Sequence, residues 1–490
     1  MEESHELIKQ RKEKLRQIRE EGINPYPYSF EKTDNAKDIL EEHKKLGKEE
    51  KTNKKVSVAG RVMTLRLMGK ACFGNIQDES GQIQFYVRED DVGKEVYRIF
   101  KKIDLGDIIG LKGTIFRTKM GEISIYTHNF ELLSKGLRPL PEKFHGLKDM
   151  EIRYRQRYLD LISNPEVKEV FVKRSKIIKA MREFLDEKGF LEVETPVLQK
   201  MYGGANARPF KSFLHELKMD IYMRISNELY LKKLVTGGFE KVYEFAKDFR
   251  NESIDRTHNP EFTQMECYWA YVDYNAMMKL TEDMVEFIAK KVLGTTKIEY
   301  QGTKIDLKAP WKRMTVKEAI KKYAEIDIDE YDDEGLQDLL KGYNIEYGEF
   351  SRGLAIGLLF EELCEAKIVQ PTFIMDHPKE TTPLCKIHRK DKNLIERFEP
   401  YIFGMEIGNA YSELNDPEVQ RKLLEEQARN LMKGSEEAHP MDEDFITSME
   451  FGMPPMGGLG IGIDRLVMIL TNSSSIRDVI LFPFMKDIED

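Results

Sequence analysis

The stretch from Val242 to Ala270 reads as two strands joined by a polar loop, with most of its ionisable groups gathered on one side. In the first strand, alternation puts Tyr243, Phe245 and Phe249 on one face and Glu244, Ala246, Asp248 and Arg250 on the other. In the second, Thr263, Met265, Cys267 and Trp269 alternate with Phe262, Gln264, Glu266 and Tyr268. The loop between adds Glu252, Arg256 and His258. A largely apolar face suits a core. The opposite face, with an arginine, a carboxylate and two aromatic rings, suits a phosphate, a flat base and a charged small molecule together.

Two further segments have the same two-sided character. In RFEPYIFGMEIGNAYSELND, alternation places Asn409, Tyr411 and Glu413 on one face. Glu399 and Glu406 have opposite parity, so they converge only if Gly404 makes a turn or Gly408 a bulge. Converging carboxylates beside a phosphate would suit magnesium, which prefers oxygen ligands. In GMPPMGGLGIGIDRLVMIL, small residues permit close backbone approach, and a strand feeds a helix opening near Asp464 and Arg465. Arg465 would then stand at a helix N-terminus, where an anion is favoured. Singly, each of these residues has a plainer reading, as a solvated strand glutamate or an arginine at a packing joint.

Familiar nucleotide signatures are missing. There is no GxxxxGK[ST], no HExxH, and the GxGxG at Gly458, Gly460 and Gly462 is one residue short of the dinucleotide fingerprint. At 490 residues the chain should form roughly two or three domains. Hydrophobic residues make up 41% and charged residues 33%, enough for sizeable cores beneath a polar surface. No apolar run approaches the roughly 20 residues of a membrane span, and MEESHELIKQRKEKLRQ has no secretory core, so no membrane association and a cytoplasmic location are expected. Cys72, Cys267, Cys364 and Cys385 lack CxxC spacing and read as scattered reduced thiols. The net charge of −9 argues only weakly against an RNA partner.

The elements that must position these groups follow from pattern. Residues 1–55 open with a Lys- and Arg-rich helix from about Glu6 to Glu21, either a solvated helix or a basic arm for phosphates. Residues 56–140 hold five short strands between turn signals, which fits a small Greek-key barrel of the oligonucleotide-binding (OB) type, with an SH3-like barrel fitting nearly as well. GLRPLPEKFHGL reads as a linker. Residues 141–490 open with an amphipathic helix beginning at Asn164 and Pro165 and closed by Gly189. Further helices fall around 276–293, 315–324 and 416–433. Few strand–helix–strand units recur, which predicts an α+β fold on an antiparallel or mixed sheet with flanking helices.

With these residues in place, the chain resembles the class II aminoacyl-tRNA synthetases, specifically the lysine family. FLEVETPVL with Pro196 is similar to the first motif of the class, FRNE with HNPEF to the second, and GLGIGIDRL to the third. The resemblance covers nearly the whole chain and includes NELYLKKLVTGGFEKVYE, EIGNAYSELND and YGGANARPF. Two departures stand out: Asn227 where the family commonly has proline, and Ala410-Tyr411 where it commonly has Gly-Phe.

The resemblance implies an N-terminal OB-fold anticodon-binding domain, a class II catalytic domain, a homodimer, and ATP-dependent attachment of L-lysine to tRNA(Lys) with Mg2+. Arg250 and Arg465 would be catalytic. Lysine would meet Gly204, Glu228, Arg250, Glu266, Tyr268, Asn409, Tyr411 and Glu413. ATP would meet Arg250, Glu252, His258, Asn259, Phe262, Glu406 and Arg465. Glu399 and Glu406 would hold the metal, and Phe73, Gln84 and Glu122 would read the anticodon. The acid-lined pocket argues against aspartate as substrate, since lysine's ammonium is what needs paired carboxylates on leaving water. A synthetase for aspartate or asparagine, an enzyme that lysylates proteins, and an RNA-binding module on a dead synthetase fold are the rival readings.

Overall fold

The computed structural model describes residues 2–141, 147–432 and 439–487. The chain divides into two compact units, Met1–Lys148 and Asp149–Asp490. Of the expected linker, residues 142–146 lie outside the described residues.

In the first unit, β1 (Lys51–Met68), β2 (Ala71–Gln77), β3 (Gln82–Arg88), β4 (Ile108–Arg117) and β5 (Ile123–Ser134) close a barrel in the order β1-β2-β3-β5-β4. Period-two patterning decides what fills it: Cys72, Ile76, Ile83, Phe85 and Val87 point inward and are buried. Asp78 Oδ1 accepts from the amides of Ser80 and Gly81, which sets the β2–β3 turn. The helix α1 (Glu2–Glu20) carries charge on its outer face but is also part of this core. Its Ile18 is buried in the barrel cluster, and Arg11 donates to the carbonyls of Leu105, Gly136 and Arg138.

The second unit is built on a nine-stranded sheet. Its strands are β6 (Leu191–Glu192), β7 (Lys241–Phe249), β8 (Glu261–Ala270), β9 (Lys312–Thr315), β10 (Thr372–Met375), β11 (Arg397–Ile402), β12 (Met405–Glu406), β13 (Gly408–Ser412) and β14 (Met456–Gly462). They run in the order β9-β10-β11-β13-β14-β8-β7-β6, with β12 paired to β11. Neighbours are antiparallel except β9 with β10 and β6 with β7. The sheet is therefore mixed and mostly antiparallel, as the scarcity of strand–helix–strand units predicts.

One face of this sheet is the core. Met265, Cys267, Leu459 and Ile461 project into it from β8 and β14. They meet Ile177 and Met181 of α2 (Pro165–Glu187), Met277 and Met284 of α4 (Tyr274–Leu293), and Leu466 of α5 (Ile463–Thr471). Each fully buried side chain of this size contributes roughly 1.5–3 kcal/mol. That burial fixes which face is apolar and leaves the alternate residues for chemistry. Between them in sequence, α3 (Glu228–Thr236) covers part of the opposite face.

Candidate active site

The three glycines Gly458, Gly460 and Gly462 form the floor of the site. On β14 they alternate with the buried Leu459 and Ile461, so they face away from the core. Register sets Gly460 between Glu266 of β8 and Asn409 of β13, and Gly458 between Tyr268 and Tyr411. A side chain at Gly458 would overlap Glu413 and Tyr268, so the open floor is what lets the flanking groups converge. Above it lies a cavity of about 440 Å³.

All fifteen residues expected around lysine, ATP and metal line this one cavity. They come from the loop holding Gly204, from the start of α3, from β7 and β8 with the loop between them, from β11 to β13, and from the start of α5. Gly204 has φ +88, and a β-carbon there would press on Ser226 and Glu228.

One end is anionic. Glu228, Glu266 and Glu413 are 4%, 3% and 1% exposed, too little for water to screen them from one another. Glu266 accepts from Ser226 Oγ at 2.8 Å and from Tyr268 Oη at 3.0 Å. Burial first, then the charges of Asp248 and Glu228, push its pKa up to about 8. Tyr411 Oη donates to Glu228 Oε2 at 2.7 Å. Burial also raises Glu413, against the pull of Lys232.

The other end is cationic. Arg250, just past β7, lies 5.0 Å from the Phe262 ring centroid, and its Nε donates to Ile225 O. Arg465 sits in the first turn of α5, donating to the Glu406 carbonyl at 2.7 Å and to Glu406 Oε2 at 3.2 Å. Its Nη2 also meets His258 Nε2 at 3.0 Å. Arginine only donates, so Nε2 accepts and Nδ1 carries the proton to Asp255 Oδ2, 2.8 Å away. Asn259 bonds to the Glu261 carbonyl and accepts from the Phe484 amide, while Glu252 is exposed at the rim.

Gly404 does make the turn on which convergence of Glu399 and Glu406 depends. Phe403 and Gly404 both have positive φ, +52 and +69, and Tyr401 pairs with Glu406 across the corner. Burial and the Glu399 charge raise the pKa of Glu406, and the same two causes raise Glu361 beside it. The acids there crowd one another, with Arg397 paired to Glu399 and Arg465 to Glu406.

Two residues in and behind the cavity wall escaped sequence reasoning. Arg397 bonds Asn409 Oδ1 at 2.9 Å and also holds Glu399. Its parity with Glu399 on β11 was a readable signal. Lys232, behind Glu228 and Glu413, had no such signal, because a lysine in a helix reads as solvated.

On the barrel, Phe73 faces outward with its ring centroid 4.6 Å from that of Tyr86. Phe116 and Tyr126 extend the aromatic surface. Gln84 accepts from Ser124 Oγ at 2.7 Å, and Glu122 is exposed in the β4–β5 turn. All four cysteines are buried and unpaired, and no described helix is long and apolar enough to cross a membrane.

Comparison with known proteins agrees with this geometry. Residues 149–486 match the family model for class II tRNA synthetases (D, K and N), and residues 56–133 match that of the OB-fold nucleic acid binding domain. The lysine–tRNA ligase of Pelotomaculum thermopropionicum is 54% identical over 99% of this chain and 96% of its own length. Those of Thermoanaerobacter sp. strain X514 and Clostridium novyi are 54% and 52% identical, covering 100% and 99% of this chain and 98% and 95% of their own. An OB-fold barrel, a class II catalytic sheet and full-length identity above one half converge on one conclusion: the chain belongs to the class II tRNA synthetases, in the lysine–tRNA ligase family.

Proposed function

We propose that the protein activates L-lysine with ATP and transfers it to tRNA(Lys) for protein synthesis. The observation that carries this reading is a single cavity with three buried carboxylates at one end and two arginines at the other. Lysine's ε-ammonium belongs at the carboxylate end, with Glu413 and Tyr268. Its α-amino group meets Gly204 and Glu228, and its carboxylate turns toward Arg250. Glu266, Asn409 and Tyr411 complete this pocket.

ATP lies at the arginine end. Adenine stacks on Phe262, while Glu252, His258 and Asn259 seat the nucleotide. Arg465 exchanges its contacts with Glu406 and His258 for phosphate oxygens. A lysine carboxylate oxygen attacks the α-phosphorus, the bond to the bridging oxygen of pyrophosphate breaks, and lysyl-adenylate remains. The attacking group is already an anion, so alignment and charge stabilisation do the catalysis without a general base. A terminal ribose hydroxyl of the tRNA then attacks the lysyl carbonyl, and AMP leaves.

Glu399 and Glu406 fit Mg2+, because the turn at Gly404 brings two oxygen-ligand carboxylates together beside the arginine end. Among the described residues no group of three or more ligand side chains could hold a metal unaided. A pair of carboxylates leaves positions for phosphate oxygens, the usual arrangement for magnesium. When bound, the ion supplies positive charge to the phosphates.

Phe73, Gln84 and Glu122 read anticodon bases, with the outward aromatic surface as the stacking platform. The protein acts in the cytoplasm as a homodimer. Supporting the dimer, Leu191, Val197 and Leu198 of the first class motif are 47%, 38% and 57% exposed. The deciding experiment is ATP–pyrophosphate exchange with each amino acid in turn. Lysine alone should support it; exchange with aspartate or asparagine, or with none, overturns the assignment.

A further inference from the structure

Lys232 lies one helical turn beyond Glu228 on α3. It is 0% exposed and is not among the residues facing the cavity. Its ammonium pairs with both Glu228 Oε1 and Glu413 Oε2. The rings of Tyr411 and Phe445 lie 5.5 and 6.0 Å from Nζ. Two of the three carboxylates that face the substrate are thus held from behind by one buried cation.

We propose that Lys232 is a positioning and specificity residue, a resident counter-ion that pairs with Glu228 and Glu413 and keeps both carboxyl groups aimed into the cavity before substrate arrives. The inference rests on the lysine-activating reading. Glu228, Glu266 and Glu413 bring three carboxyl groups to this end against the one ammonium of Lys232, and the ammonium of an incoming lysine adds a second cation. Without Lys232 the buried wall would carry one negative charge too many. Like-charged buried carboxyls respond by taking up a proton. That proton would compete with the incoming ammonium.

Among the described residues, no other cation forms an ion pair with Glu228 or Glu413. Tyr268 and Glu266 face the pair from β8, and Tyr411 from β13, and none of them is a cation. Cys385 packs beside Glu413, its thiol pKa raised chiefly by burial. Burial and then the Lys232 charge hold His439 down to about 4, so it is neutral. For Lys232, burial favours the neutral amine, but Glu228 and Glu413 outweigh it and leave its pKa raised. The ammonium persists throughout the working range of the enzyme.

The test is lysine-dependent exchange by Lys232→Met and the wild-type protein, from about pH 6 to about pH 9. The ratio of lysine KM values, variant over wild type, should be largest at low pH and fall by about ten-fold per pH unit where the added proton titrates. ATP KM and kcat should stay near wild type. A ratio independent of pH, or an equal rise in ATP KM, overturns the proposal. Should Lys232→Met fail to fold, Lys232→Met combined with Glu413→Gln should fold, because it removes the excess charge, and its ratio should be flat. Failure of the pair as well would assign Lys232 to packing and overturn the proposal too. Absence of lysine-dependent exchange in the wild type removes the lysine reading itself, and this role with it. An active wild type with an indifferent variant removes only the role of Lys232.

Discussion

Tyr411 Oη donates a 2.7 Å hydrogen bond to Glu228 Oε2, joining a strand of the sheet to the first turn of a helix 183 positions earlier. A phenylalanine could not make that bond. With Lys232 on its other oxygen, Glu228 is held from two sides. Tyr411→Phe should raise the lysine KM by the equivalent of about 0.5–1.5 kcal/mol, with kcat nearly unchanged. Steady-state exchange kinetics measure both. A loss of kcat with constant KM would place the phenol in the chemical step instead.

Glu266 makes lysine binding depend on protons. Its pKa of about 8 means that it is largely protonated at neutral pH when no substrate is present. Lysine's ammonium favours the ionised form, so binding lowers that pKa and expels a proton. Affinity should therefore weaken as pH falls below about 8. The same raised value means that the ligand-free fold binds a proton the unfolded chain does not, so this group's contribution to stability is lost as pH rises from the ordinary carboxylate range through about 8. Calorimetric titration in buffers of different ionisation enthalpy should report proton release near neutrality. Heats independent of buffer would contradict it.

Arg250→Ala should abolish lysine-dependent exchange while the circular dichroism spectrum stays that of the wild type. The guanidinium lies 5.0 Å from the Phe262 ring centroid, and in the proposed reaction it bridges the α-phosphate and the lysine carboxylate. Arg250→Lys should restore little, since a point charge cannot bridge both groups as a planar fork does. Near-normal exchange in either variant would refute the bridging role.

The two units can be tested independently. Phe73→Ala and Tyr86→Ala remove members of the outward aromatic surface, and each should weaken tRNA binding by roughly 1–3 kcal/mol. Exchange without tRNA should be unaffected. Filter binding against transcripts with altered anticodons would separate base reading from general RNA affinity.

Leu198→Glu probes the proposed dimer. It puts a charge on an apolar strip that is 57% exposed at this residue in the single chain. Sedimentation should show a dimer for the wild type and a shift toward monomer for the variant. An unchanged sedimentation profile would remove this strip from the interface.

The hairpin from Val242 to Ala270 was legible because period two needs no tertiary information once one face is apolar. Tyr243, Met265 and Cys267 go to the core, and Phe262, Glu266 and Tyr268 go to the cavity. Arg397 was equally readable from its parity with Glu399. Lys232 was not, since only a neighbour 181 positions away at Glu413 distinguishes it from a solvated helix lysine. On the barrel, alternation gave two faces to every strand, but closure decides which of them meets water. Tyr86, Phe116 and Tyr126 therefore emerged as a surface only with the fold. Likewise, Ile18 lies in a helix whose charge reads as solvent-facing, yet it fills the barrel core.

The corner at Phe403 and Gly404 carries a consequence beyond its own geometry. Side chains on a strand change sides with every residue, so one insertion between Tyr401 and Glu406 would turn the Glu406 carboxylate to the far surface of the sheet. A homologue could keep every acid, base and ring of the site and still lose the second of the two proposed magnesium ligands through spacing alone. Loop length at this corner is therefore as diagnostic of a working enzyme as the identity of its residues.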